Sequence, residues 1–480
     1  MLARHRQLRG MAGTLAVMML AACGDSTAGR LEQAPSGEAQ SQTRVVNDDI
    51  RARLEALPGV TILGDESIED FRFFTLDFEQ PADHRNPQGE KFLQRMTLFH
   101  RSVTAPMVID TEGAEIFAEP IAAEPVDLLK GNQVTVEHRF YGTSVPASRD
   151  WRLLDVWQSA ADAHRVVEVF KTIYGARWLS TGVFRGGTAA ILHRYFFPND
   201  VQGTLAYAER HSLGLRDARA AHFLANVGDA ACRERLKSVQ RAALARRAEL
   251  TPLLEAQVAW GFTFQTVPAD QALEFSVVRL PFNFWQYMGL APYSCATIPE
   301  PTAPAQELFD FVDMVAGPAY VFSDQALLTF GEPESYQSAT ELGAPLYPEL
   351  ELWSLLRYPG AQVPTLLPPV GVTKVYNPLP MLKVELWTRL HAKQVLILDG
   401  ALSPWSASAF GVEARNDSYR LVAPEGIGFY GALSALEEPR RTFFFDRLSE
   451  WAGSPVHLPQ ASEAKRDERS AQKLRRLHGR

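Results

Sequence analysis

Thr181-Gly182-Val183-Phe184-Arg185-Gly186-Gly187 closes an apolar run that begins at Trp178 and opens into a stretch of helical spacing through Phe196. Small residues on both sides of Phe184 predict a strand that turns abruptly into a helix, with residue 184 at the apex. Upstream, Pro106 to Glu112 and Asn132 to His138 are apolar, β-branched runs bounded by turn residues, and Leu153 to Tyr174 has helical length and spacing. Val201 to Tyr207 reads as a further strand. Strands alternating with helices predict a parallel sheet. The alternation stops between about Leu215 and Leu382, where helical stretches such as Ala231 to Ala256 give way to proline-rich loops. It resumes with strands at Gln394 to Leu398 and Tyr419 to Val422 and a helix from about Ala432 to Trp451. The expected layout is an α/β domain over 47–214 and 386–460, interrupted by a large, mainly helical cap over 215–385.

A sharp strand-to-helix turn of this kind presents the nucleophile in G-x-S-x-G hydrolases, where it lifts a serine hydroxyl above the sheet beside an oxyanion hole. Together with the interrupted alternation it predicts an α/β-hydrolase fold. Here the apex residue is Phe184, which cannot attack a carbonyl.

At 480 residues and 46% hydrophobic composition the chain can bury a large core. Arg4, Arg6 and Arg9 precede the apolar stretch Met11 to Ala22, too short to span a bilayer, which reads as an export signal. It ends at Leu20-Ala21-Ala22-Cys23-Gly24, which resembles a lipobox. Residues 1–22 are therefore expected to be removed and Cys23 lipidated. The expected location is the bacterial cell envelope, periplasmic or outer surface, with the membrane contacted through the N-terminal lipid. Loss of three arginines would take the net charge from −8 to −11, and so acidic a chain is a poor nucleic-acid binder. Cys232 and Cys295 would then be the remaining thiols, an even number in an oxidising compartment, so a bridge between them is expected. Sequence alone leaves their separation open. Residues 23–46 read as a flexible tether and 461–480 as a charged tail.

Glu137-His138-Arg139-Phe140-Tyr141-Gly142, followed by Ser144 and Pro146, is similar to the E-H-R-(F/Y)-(F/Y)-G-x-S-x-P signature of secreted prolyl peptidases. Gln80-Pro81-Ala82-Asp83-His84, Thr111-Glu112-Gly113, Asp150-Trp151 and Phe284-Trp285-Gln286-Tyr287 extend the match, which covers roughly residues 70 to 450. The chain resembles the bacterial prolyl tripeptidyl aminopeptidases, with lysosomal prolyl carboxypeptidase a more distant cousin. The resemblance implies a serine-type aminopeptidase whose nucleophile motif, T-G-x-S-K-G-G, places the serine at Phe184 and the lysine at Arg185. Its D-P-W-S acid motif reads Ser403-Pro404-Trp405-Ser406 here, and its histidine maps to Phe429. No histidine lies between His391 and His457. All three triad positions are thus expected to be degenerate.

Other catalytic constellations are thin. His211-Ser212 are adjacent on an extended chain and so point apart, and Asp399 at a strand end is read as a turn cap rather than a displaced acid. No metal-ligand or nucleotide-binding motif is present, so no cofactor or metal is expected. Glu137, Arg139 and Arg185 are candidate ligand contacts, with loop bracing as the plainer role for the first two. The expectation is a lipid-anchored binding or scaffolding protein that keeps a peptidase fold, with a peptide or protein as ligand. The alternative is an active tripeptidyl aminopeptidase or esterase using an unrecognised arrangement.

Overall fold

Nine strands form one sheet in the order β1-β2-β3-β5-β4-β6-β7-β8-β9. The computed structural model describes residues 48–68, 70–288, 293–424 and 432–458; Cys23, residues 1–46, Phe429 and 461–480 lie outside them. β1 (Val60–Ile68), β2 (Phe71–Pro81) and β3 (Lys91–His100) are antiparallel, and β3 joins β5 (Asn132–Val136) antiparallel. From β5 onward the sheet is parallel through β4 (Met107–Thr111), β6 (Trp178–Val183), β7 (Gly203–Tyr207), β8 (Val395–Gly400) and β9 (Tyr419–Ala423). The parallel block matches the strands expected from the alternation. The three leading antiparallel strands were not anticipated.

Side-chain alternation along each strand sorts the parallel block into two cores. Leu205, Leu396 and Leu398 meet Phe444, Leu448 and Trp451 of the helix Arg440–Ala452 on one face. Ala206, Val395 and Ile397 meet Ile191 of the helix Arg185–Phe196 and Met381 and Val384 of the helix Leu379–Leu390 on the other. Both faces are therefore covered, which is why β4, β5, β7 and β8 are buried throughout. Helix Leu379–Leu390 precedes β8 and packs on the sheet, so sheet packing resumes there. The final helix starts after Pro439, whose missing N–H costs nothing at a helix start.

Between β7 and β8 the chain builds a second, mainly helical core. Helices Ala230–Ala245, Arg247–Glu255, Ala269–Tyr287 and Ala305–Ala316 bury a continuous cluster around Leu236, Leu273, Val277, Phe284 and Val312. Trp405, from the loop after β8, joins that cluster, and Phe184 and Leu402 pack against it from the sheet side. The whole is an α/β-hydrolase fold with a helical cap. Cys232 and Cys295 are bonded within the cap, their Cα atoms 5.5 Å apart. Among the described residues no helix is long and apolar enough to cross a membrane.

The bridge links positions 63 apart in sequence, and a closed loop of that size restricts the unfolded chain by about 4 kcal/mol in the loop-entropy account. Reduction should lower the denaturation midpoint of the cap accordingly. Thiol titration of the denatured, unreduced protein should find neither Cys232 nor Cys295 reactive.

Candidate active site

The turn after β6 keeps the shape that the sequence predicts. Phe184 sits at φ 53°, ψ −116°, and the helix Arg185–Phe196 begins at the next residue. Its N–H donates to the carbonyl of Tyr207 at 3.0 Å, and its carbonyl accepts from the Thr188 N–H at 3.1 Å. The glycines around it are required by close backbone approach. A Cβ on Gly182 would lie 2.2 Å from the Gly186 carbonyl carbon, and one on Gly186 would lie 2.2 Å from the Thr111 carbonyl oxygen. Gly113, at φ 75°, presses the same spot from the loop after β4. Thr111 Oγ1 donates to the Gly186 carbonyl at 2.8 Å and clamps the helix start to β4.

Holding a non-glycine residue in this region costs on the order of 1–3 kcal/mol. The half-buried Phe184 ring offsets it by packing against Tyr287 of the cap, which Tyr293 also meets. Phe429, where the resemblance places the histidine, lies outside the described residues.

Ser403, where the resemblance places the acid, is fully buried. Its hydroxyl donates to Gln286 Oε1 at 2.8 Å. Gln286 and Tyr287 are consecutive at the end of the cap helix Ala269–Tyr287, so one helix end meets both positions. Both residues fall in the Phe284-Trp285-Gln286-Tyr287 match, which was the available signal for them.

Arg185 does not reach outward alone. Its Nε donates to the Gly113 carbonyl at 3.0 Å, and its Nη1 pairs with Glu334 at 2.8 Å. Arg210 pairs with the other oxygen of Glu334 at 2.6 Å and stacks on Trp405. Burial raises the Glu334 pKa, but Arg210 and Arg185 outweigh it and hold the carboxyl at about 2. Glu334 comes from the short helix Glu332–Gln337 in an irregular part of the insertion, which offers no periodicity by which the sequence could have flagged it.

Glu137 and Arg139 are placed as braces. Glu137 accepts from the N–H groups of Ile116, Thr143 and Ser144 and from the Ser144 hydroxyl at 2.6 Å. Arg139, with no exposed surface, forks onto Asp162 at 2.7 and 2.8 Å and donates to the carbonyls of Ala82 and Leu153. Of the three candidate ligand contacts only Arg185 lines the cavity beside the turn, a space of about 140 Å³ that His138, Arg210, Ser212, Arg279, Glu334, Gln362 and Trp405 also border.

His211 is buried, stacked on Phe410, with Nδ1 2.8 Å from the Ser408 carbonyl; burial lowers its pKa to about 3. Asp399 is not a turn cap. Its Oδ2 accepts from Arg420 at 2.6 Å, and burial raises its pKa. Glu209, just past the end of the neighbouring strand β7, is raised well above the usual carboxyl range by burial and by Asp399. Among the described residues no group of His, Cys, Asp or Glu is placed to hold a metal ion.

Fold and site together define an α/β-hydrolase fold with a helical cap packed against the turn after β6. Residues 43–474 match the family described as PS-10 peptidase S37. A prolyl tri/tetrapeptidyl aminopeptidase from Streptomyces mobaraensis is 37% identical over 437 residues, covering 89% of this chain and 88% of that protein. The chain belongs to the S37 family. Among solved structures, a proline iminopeptidase from Mycobacterium smegmatis is 13% identical, covering 78% of this chain and 98% of its own at a TM-score of 0.34; a likeness that low carries no functional argument.

Two outcomes test the site's energetics. Phe184→Ala should destabilise by about 1–3 kcal/mol, because it loses packing and keeps the strain. Phe184→Gly should be no less stable than Phe184→Ala, the reverse of the ordinary order, as chemical denaturation of the two variants would read. Glu334 contributes stability present above its unfolded pKa, near 4.5, and lost as pH falls towards 2. Its side chain keeps 31% exposure, which screens the pair, so Glu334→Gln should cost about 1–3 kcal/mol at pH 6. That difference from the parent should shrink steadily as the pH falls from 4.5 through about 2.

Proposed function

We propose that this S37 protein binds peptides without cleaving them. The observation that carries the reading is Phe184 at the apex of an otherwise intact nucleophile turn, packed against Tyr287. Acyl transfer needs a nucleophile and a base within about 2.6–3.2 Å of it. A phenyl ring supplies neither an attacking atom nor a proton acceptor. Ser403 at the acid position and the absence of any histidine between His391 and His457 support the same reading. The cavity next to the turn keeps a concave, partly polar lining suited to a peptide end. With Cys23 as a lipid attachment point, the protein would act at the surface of the bacterial envelope as a binding or scaffolding component.

A second reading is an active aminopeptidase or esterase of unrecognised arrangement, favoured by the 37% identity to a prolyl tri/tetrapeptidyl aminopeptidase across nearly its full length. Fluorophosphonate labelling and hydrolysis of prolyl tripeptide substrates separate the two. The binding-protein reading expects no labelled serine and no turnover above a Phe184→Ala control. Phe184→Ser should stay silent as well, since a serine without a base is a poor nucleophile. A fluorophosphonate adduct on a serine in the cleft would overturn this reading.

A further inference from the structure

Arg279 lies on the cap helix Ala269–Tyr287 and borders the cavity beside the nucleophile turn. Its guanidinium stacks on Phe322 and on Tyr347, 5.0 Å from each ring centroid. Stacking uses the face of a guanidinium and leaves its in-plane N–H donors free. Among the described residues those donors have no hydrogen-bond acceptor and no carboxylate, and the Nε is itself buried without a partner. The other two arginines of the cavity, Arg185 and Arg210, share Glu334 between them. Three guanidiniums therefore face one carboxylate, a surplus of two positive charges, and Arg279 is the one of the three with no ion pair. The side chain is half-buried; holding its charge there without a counter-charge is unfavourable, and an arriving anion would relieve it.

A second orphan borders the same cavity. Gln362 donates its Nε2 to the Phe275 carbonyl at 3.1 Å, leaving Oε1 buried with no donor. A ligand that satisfies both groups carries an anionic oxygen pair and an N–H. The last residue of a peptide has that combination, a terminal carboxylate and its own amide N–H. Inorganic phosphate at neutral pH offers the charge but no amide.

We infer that the cavity takes the C-terminal residue of a peptide, with Arg279 forking onto the terminal carboxylate and Gln362 Oε1 accepting the amide N–H of that residue. The bidentate guanidinium–carboxylate geometry supplies both strength and direction. This rests on the reading of the cavity as a peptide site, but not on the absence of catalysis. Hydrolysis and labelling decide the latter, and end-group preference decides this.

The test is binding of acetyl-Ala-Ala with a free carboxylate, of its C-terminal amide and of inorganic phosphate to the full chain by calorimetry. The free acid should bind at least about tenfold tighter than the amide, the discrimination expected of one charge-assisted pair. Arg279→Met should remove the preference, so that acid and amide bind with equal affinity. Gln362→Glu, which places an internal carboxylate in the cavity, should abolish the preference in the same way and serves if Arg279→Met does not fold. Equal affinity of the parent for acid and amide overturns the assignment. So does phosphate binding as tightly as the acid, which would mark a general anion site, or an acid preference that survives both substitutions.

Discussion

The close approach of Gly186 to the Thr111 carbonyl is the constraint on which the rest of the site depends. No side chain fits between the start of the helix Arg185–Phe196 and the end of β4, so the turn between β6 and that helix has one available path. That path forces residue 184 to positive φ whatever its chemistry. It also sets Arg185 where it can reach the Gly113 carbonyl on one side and Glu334 on the other. Cap and sheet are joined through the consequences of that one backbone contact. Arg185 and Arg210 hold the Glu332–Gln337 helix, and Phe184 and Ser403 meet the end of Ala269–Tyr287.

Much of the architecture was legible because two-sided burial and strand–helix alternation leave strong patterns. β6 was bounded correctly because its apolar run ends in glycines that have no other local explanation. The leading strands β1 to β3 escaped notice because they mix polar and apolar residues, as in Lys91–His100, and their order depends on long-range pairing. The helix expected from about Ala432 begins instead after Pro439, preceded by a separate 3-10 turn at Ala432–Ala435.

The site was less legible, for a physical reason. Phe184 and Ser403 could be placed from local motifs, whereas their partners come from the insertion, where proximity is decided by cap packing. Glu334 is 149 residues from Arg185 in sequence, and nothing in its neighbourhood marks it as the counter-charge. Glu137 and Arg139 drew attention as charged residues at a strand end, yet Glu137 is occupied by the Ile116, Thr143 and Ser144 groups and Arg139 by Asp162 and nearby carbonyls. A charged residue with its polar atoms already engaged braces a loop; Arg279, whose donors are not engaged, is the different case.

The cap helix end is engaged twice. Tyr287 packs on the ring at 184, and Gln286 binds the hydroxyl at 403. Shrinking the ring at 184 would open space beside Tyr287, and removing the hydroxyl at 403 would take the donor from Gln286 Oε1, on an amide whose Nε2 is already buried without a partner. A change at either position is therefore felt at the end of the same cap helix. The two positions, far apart in sequence, are thereby coupled through two adjacent side chains, so substitutions at 184 and 403 need not add.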